Sequence, residues 1–293
     1  MVYILLLALF VAVTIPLALL TILFGFFDRY GKRVYRINQF WAWLLLRMGG
    51  ISLNVEGQEN IDTDQQYIFM VNHQSNVDIP VIVQSLARFQ LRWIAKKELL
   101  WVPFFGWAMW ATKHITIDRS DPQSAVRSLE RAKEKIAAGI SVVVFPEGTR
   151  STNGKLLRFK KGGFMLAVQA NTKIVPVTIN GSRNLLPSGA WRLCSGSIEV
   201  FVDKPIAVDG YRAGNLRLLS DRVRETIAAH LRESASSESN GTVEGGNRAI
   251  ANRAQRNAGR KPFGRSVVDL RLHQSRPAGI GEGIYRIHQA ILD

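Results

Sequence analysis

The sequence predicts an α/β domain with a mixed, largely parallel sheet flanked by helices, preceded by an N-terminal membrane-embedded helical segment. Three observations predict it. Short β-branched runs alternate with helical patterns between about residues 51 and 233, the pattern of strands joined by helical crossovers. The first 27 residues carry no charge. The 293 residues are 47% hydrophobic and 21% charged, which supplies a core and excludes wholesale disorder.

In chain order, residues 1–27 come first. As a helix they extend roughly 40 Å, more than the roughly 30 Å of a bilayer's hydrocarbon. Pro16 is a candidate kink. A secretory leader needs a basic start and a small-residue cleavage site, and neither is present. The following flank holds Arg29, Lys32, Arg33 and Arg36 against Asp28, an excess that places this side in the cytoplasm. Residues 40–46 are apolar but too short to span, and Trp41 and Trp43 suit a membrane interface. Two readings of this region stand: one anchor plus a core helix, or a helical pair dipping into one leaflet. The boundaries predicted are membrane-anchoring helices at 1–47, the α/β domain at 48–233, and a linker with a basic, disordered tail at 234–293.

Strands are expected at ISLNVE (51–56), YIFMVN (67–72), LRWIA (91–95), HITID (114–118), SVVVF (141–145), IVPVTIN (174–180) and SIEVFV (197–202). Helices fill 78–87, 162–170 and 215–232. Another follows HITID, with Asp121 as N-cap, Pro122 at the first helical position and Gly139 at the end. In such sheets ligands bind beyond the carboxyl ends of the strands.

Polar clusters follow three of those strands. In the first, NHQSNVD (72–78), His73 and Asp78 are five residues apart. A straight helix holds that spacing about 140° apart. The two can meet only if a turn precedes a helix that begins near Asp78. Such a pair makes a general base, because the carboxylate fixes the imidazole tautomer and stabilises its cation. A surface histidine beside a helix-capping aspartate is the plain alternative. The second cluster is FPEGTRS (145–151). Gly148 lets backbone approach a ligand, Thr149 and Ser151 supply hydroxyls, and Arg150 offers a fork that fits phosphate. Lys155, Arg158, Lys160 and Lys161 follow with no acid among them, before Gly162 and Gly163 open a helix. Glu147 sits awkwardly beside a phosphate; orienting Arg150 or accepting a substrate hydroxyl fits it better. The third cluster is Asp118-Arg119. Between the first and third, Lys96 and Lys97 can meet phosphate, and the run LLWVPFFGW (99–107) lines an apolar groove, rests on lipid or forms a buried helix of ordinary core.

Lys+Arg 38 against Asp+Glu 23 leaves a net charge of +15, which favours anionic headgroups, phosphorylated substrates or nucleic acid. The single cysteine, Cys194, excludes an intramolecular disulfide framework, has no base near it in sequence, and reads as structural. His114, His230, His273 and His288 have no metal-ligand spacing.

Taken together, NHQSNVD (72–78), KKELLWVPFFGW with ITIDR (96–119), FPEGTRS (145–151) and VPVTIN (175–180) resemble the four ordered blocks of the glycerolipid acyltransferases. More narrowly they resemble the bacterial 1-acyl-sn-glycerol-3-phosphate acyltransferases, over residues 1–233. The resemblance implies acyl transfer from acyl-coenzyme A or acyl carrier protein to the 2-hydroxyl of lysophosphatidic acid, giving phosphatidic acid at the cytoplasmic face of the bacterial inner membrane. It implies His73 as general base, Asp78 as its orienting carboxylate, and Arg119, Glu147, Gly148, Thr149 and Arg150, with Lys96 or Lys97, as the glycerol phosphate site. It implies no metal, no cofactor beyond the acyl donor as co-substrate, and no nucleic-acid partner. Three other readings differ in their chemistry. They are acylation of glycerol-3-phosphate or another lysolipid such as lyso-ornithine lipid, hydrolysis by the same dyad, and a non-enzymatic membrane or nucleic-acid binder.

Overall fold

In the computed structural model the described residues are 2–118, 122–190 and 192–232, and they lie in one compact unit. Arg119, Asp121 and the tail at 234–293 lie outside them.

A seven-stranded sheet organises this unit. Its strands are β1 (Ile51–Glu56), β2 (Ile68–Val71), β3 (Leu91–Lys96), β4 (Ile115–Ile117), β5 (Ser141–Val144), β6 (Ile174–Asn180) and β7 (Gly196–Val202), in the spatial order β1-β7-β6-β2-β5-β3-β4. The five strands from β6 to β4 are mutually parallel. β7 runs antiparallel to β6, and β1 lies parallel to β7. The sheet is therefore mixed and largely parallel. Each predicted strand appears, with ends shifted by at most one residue.

Helices cover both faces, so the central strands are apolar throughout rather than alternating. β2 and β5 are buried at every position. Phe69, Val71, Val143, Val175 and Val177 face one core with Tyr35, Val81 and Ile82 from α2 (Tyr35–Met48) and α3 (Asp78–Ser85). Ile68, Met70, Val142 and Val144 face the other. There they meet Leu129 of α5 (Pro122–Ala137), Phe164 of α6 (Gly162–Gln169) and Val223 of α8 (Leu216–His230). Two further helices, α4 (Phe105–Ala111) and the short α7 (Ser182–Leu185), carry no sequence signal strong enough to predict them.

The N-terminal helix α1 (Val2–Gly25) stays helical through Pro16. Within Ala8–Gly25 only 17% is buried, and it is long and apolar enough to cross a membrane. Trp41 Nε1 of α2 donates to Thr14 Oγ1 of α1 at 3.1 Å. The connector is fixed from below by Arg92 of β3, which is fully buried. Its guanidinium donates to the Tyr30 and Leu91 carbonyls, each at 2.7 Å, and lies 5.1 Å over the Tyr35 ring. Burial pulls the Arg92 pKa down to about 10. A charge held inside without a carboxylate relies on such carbonyl dipoles and π faces. Gly31 (φ +68°) is required in this connector, since a Cβ there would lie 2.7 Å from the Thr112 carbonyl oxygen.

Candidate active site

β2 and β5 are neighbours in the sheet, with Met70 opposite Val144. Their carboxyl ends therefore deliver residues 72–78 and 145–151 to the same place. Asn72 anchors the first segment, donating to the Ile179 carbonyl at 2.9 Å and accepting the Ile179 N–H at 2.7 Å. The chain then turns, and α3 begins at Asp78. That turn closes the five-residue gap. His73 Nδ1 lies 2.8 Å from Asp78 Oδ2.

Asp78 is fully buried. Its Oδ2 also accepts the backbone N–H groups of Gln74 (2.7 Å) and Ser75 (2.8 Å). Two backbone N–H groups just before α3 thus converge on the same oxygen as the imidazole. A carboxylate at Nδ1 keeps the imidazole proton there, so Nε2 is the free acceptor. The His73 ring stacks on Phe145, with centroids 3.8 Å apart and planes 11° apart, and Phe145 stacks in turn on Trp93. The imidazole is thus held between a carboxylate and an aromatic face.

The second segment grips the first through the backbone. Glu147 Oε1 accepts the His73 N–H at 2.8 Å, and Oε2 accepts the Leu157 N–H at 2.8 Å. The Ser151 N–H donates to the His73 carbonyl at 2.8 Å. Glu147 is buried, and that burial pushes its carboxyl pKa up, against the two N–H donors. Gly148 turns the chain with φ +72°. Arg150 Nη1 donates to Asn76 Oδ1 at 2.9 Å, so the guanidinium is held across the mouth of the His73 turn.

His73, Lys96, Gly148, Thr149 and Arg150 share the wall of one cavity of about 830 Å³. The rest of its lining is mainly apolar and comes from α1, α2, α3 and the segment 99–109, with Leu17, Trp41 and Met109 among the contributors. His114 lies on this wall, where its Nδ1 accepts the Trp93 N–H at 3.2 Å and burial holds it neutral. An imidazole–carboxylate pair, a guanidinium and a mainly apolar chamber therefore meet beyond the carboxyl ends of β2 and β5. That combination suits a substrate with an anionic head and an aliphatic chain.

The expected site residues divide as follows. Five line the cavity. Asp78 stands behind His73. Glu147 faces two backbone amides beneath the turn. Lys97 is paired with Asp118 at 2.6 Å. Arg119 lies outside the described residues. Cys194 is exposed, so it packs no core. The sequence reading missed Asn76 as the partner of Arg150, and it missed α1 and α2 as cavity walls. No local pattern encodes a contact 74 residues away.

Comparison with known proteins follows the same lines. The family model described as Acyltransferase matches residues 52–180. The 1-acyl-sn-glycerol-3-phosphate acyltransferase LPAT1, chloroplastic, of Arabidopsis thaliana is 35% identical over 183 residues, 61% of this chain and 51% of that protein. The 1-acyl-sn-glycerol-3-phosphate acyltransferase alpha of Homo sapiens is 36% identical over 185 residues, 63% of this chain and 65% of that protein. The chain thus spans between half and two thirds of the length of these curated relatives. The crystal structure of the 1-acyl-sn-glycerophosphate (LPA) acyltransferase PlsC from Thermotoga maritima superposes with a TM-score of 0.65 at 28% identity, covering 78% of this chain and 94% of that one.

Proposed function

We propose that this chain is an acyltransferase, as its match to the Acyltransferase family model over residues 52–180 supports, and that it moves a fatty acyl group from a thioester to the sn-2 hydroxyl of 1-acyl-sn-glycerol-3-phosphate, forming phosphatidic acid. The observation that carries this reading is the His73–Asp78 contact at the mouth of an apolar cavity that Arg150 also lines. His73 Nε2 accepts the proton of the acceptor hydroxyl as its oxygen attacks the thioester carbonyl. The carbon–oxygen bond forms, the carbon–sulfur bond breaks, and the thiolate leaves and takes up the proton. Asp78 stabilises the imidazolium in between. A thiol has a pKa near 8.5 and leaves with little help from an acid, so the step asks for no metal or prosthetic group.

Arg150, Gly148 and Thr149, with Lys96, hold the phosphate, and the cavity takes acyl chain. The donor is acyl-coenzyme A or acyl carrier protein. The apolar exposure of α1 supports membrane attachment, and the cationic flank at Arg29, Lys32 and Arg33 supports a cytoplasmic site at the inner membrane.

The test uses membranes holding wild type or His73→Ala, labelled oleoyl-coenzyme A, and lysophosphatidic acid beside glycerol-3-phosphate and lyso-ornithine lipid. Labelled phosphatidic acid made only by wild type is the expected result. Equal product from both proteins would overturn the role of His73. Transfer to a different acceptor alone would reassign the substrate.

A further inference from the structure

The aromatic run that follows β3 has two faces. A 3₁₀ turn (Lys97–Trp101) and α4 fold it back against α1. Leu99, Val102, Phe105 and Met109 line the cavity. Trp101, Trp107 and Trp110 do not. They are 79%, 50% and 49% exposed. Three half-exposed or exposed indoles on one short segment are a large departure from an ordinary soluble surface.

This patch is continuous with the apolar side of α1. The Phe26 ring meets the Trp110 ring edge-on at 5.5 Å. At Gly25, a Cβ would lie 2.7 Å from the Ala111 Cβ, so the two helices touch there. Phe24, Phe26 and Phe27 are exposed beside it. Lys113 Nζ lies 4.5 Å over the Trp110 ring, and Arg29 and Arg33 follow α1 in the chain. Apolar rings bordered by Lys and Arg match the boundary between acyl chains and anionic headgroups.

We propose that the Trp101–Trp107–Trp110 face is a second membrane-contact element, inserted beside α1 into an anionic lipid leaflet. It rests on the reading that α1 is held in a bilayer. It adds that the α/β domain itself, between β3 and β4, enters the lipid interface. Leu99 and Val102 are 39% and 44% exposed and also line the cavity. The same segment is therefore a wall of the cavity and a surface of the interface. A lysolipid can pass along it from the leaflet toward His73 without leaving an apolar environment.

The experiment uses the full chain carrying Cys194→Ser and one new cysteine, bearing an environment-sensitive fluorophore, at position 101, 20 or 218. Leu20 lies on the exposed side of α1 and Leu218 on α8. Vesicles of phosphatidylethanolamine and phosphatidylglycerol are added, with and without spin-labelled acyl chains. Labels at 101 and 20 are expected to shift to the blue and be quenched, and the label at 218 to stay unchanged. A shift at 20 without one at 101 overturns this proposal and leaves the attachment of α1 standing. No shift at either overturns both. A shift at all three is unspecific adsorption and overturns it as well. The companion variant Trp101→Gln should lower activity on vesicle-borne lysophosphatidic acid about tenfold, the change that about 1.4 kcal/mol of lost apolar burial makes. Its activity in detergent micelles should be unchanged. An equal loss in both would place Trp101 in the catalytic machinery and overturn its role as a lipid contact.

Discussion

Two histidine–aspartate pairs occupy different parts of this molecule, and their local geometry is nearly the same. His73 lies 2.8 Å from Asp78, and His230 lies 3.1 Å from Asp203. Each ring stacks on a phenylalanine, Phe145 in one case and Phe201 in the other. The surroundings separate them. Asp78 is closed off and takes two backbone N–H groups besides the imidazole. The Asp203 side chain is 17% exposed, and His230 is 41% exposed. His73 spends Nδ1 on its carboxylate and leaves Nε2 toward a cavity with a cation on its rim. His230 spends Nε2 and is not among the residues lining that cavity. A close imidazole–carboxylate contact is thus only one ingredient. On the proposed function, a fixed tautomer, a free nitrogen beside a chamber and an anchor for the substrate are what distinguish a base.

The contrast can be broken at several points. The largest effect belongs to the contrast between the two histidines. His73→Ala should cut turnover about 100-fold or more, and His230→Ala should leave it unchanged, in parallel acyl-transfer assays. Next comes the anchor. Arg150→Ala should weaken acceptor use by about 1.5–3 kcal/mol, the loss of a charged hydrogen bond, seen as a raised KM for lysophosphatidic acid at unchanged donor KM. The brace beneath His73 ranks third. Glu147→Gln gives one of two buried N–H groups an amide donor in place of an acceptor. It should lower kcat about tenfold, at the lower end of the 1–3 kcal/mol cost of an unmet buried donor, with the acceptor KM unchanged.

The smallest effect lies in the second pair. Burial pushes the Asp203 carboxyl up, opposed by His230. The folded protein therefore binds this proton more tightly than the unfolded chain does. Its contribution to stability is full below the unfolded value and is lost as pH rises through the raised folded value. Asp203→Asn, which stays neutral, should match wild type in acid and gain a small margin above that window. For a partly solvated pair this is below about 1 kcal/mol, measurable as Tm against pH.

Much of this was legible in the sequence, for identifiable reasons. The strands announce themselves because both faces of the sheet are covered, so each reads as a short β-branched run. His73 and Asp78 were legible because a five-residue gap admits contact only through a turn before α3, and that is the turn observed. Which strands reverse was not legible, since β1 and β7 carry no mark of direction. The bonds of Glu147 were hidden for a related reason. Its partners are backbone amides of residues 73 and 157, and an amide has no identity in a sequence. Expectation placed Glu147 with Arg150 or a substrate hydroxyl; burial instead turned it toward His73. The run at 99–107 left groove, lipid and a buried core helix as alternatives. The structure seats part of it on the groove and turns three tryptophans outward.

The position of β1 has a consequence for how the molecule is made. Of the seven strands in this sheet, the first to leave the ribosome pairs with the last, Ile51 beside Gly196 and Glu56 beside Phe201. At about 5–20 residues per second, β1 waits many seconds for its neighbour. Until β7 arrives, β1 and β6 both present open edges, the surfaces most prone to pairing with other chains. By then α1, synthesised before every strand of this sheet, has long been available to the bilayer. A nascent chain tethered there cannot diffuse freely into its copies. On the reading that α1 is held in a bilayer, tethering limits such encounters while the sheet is unfinished.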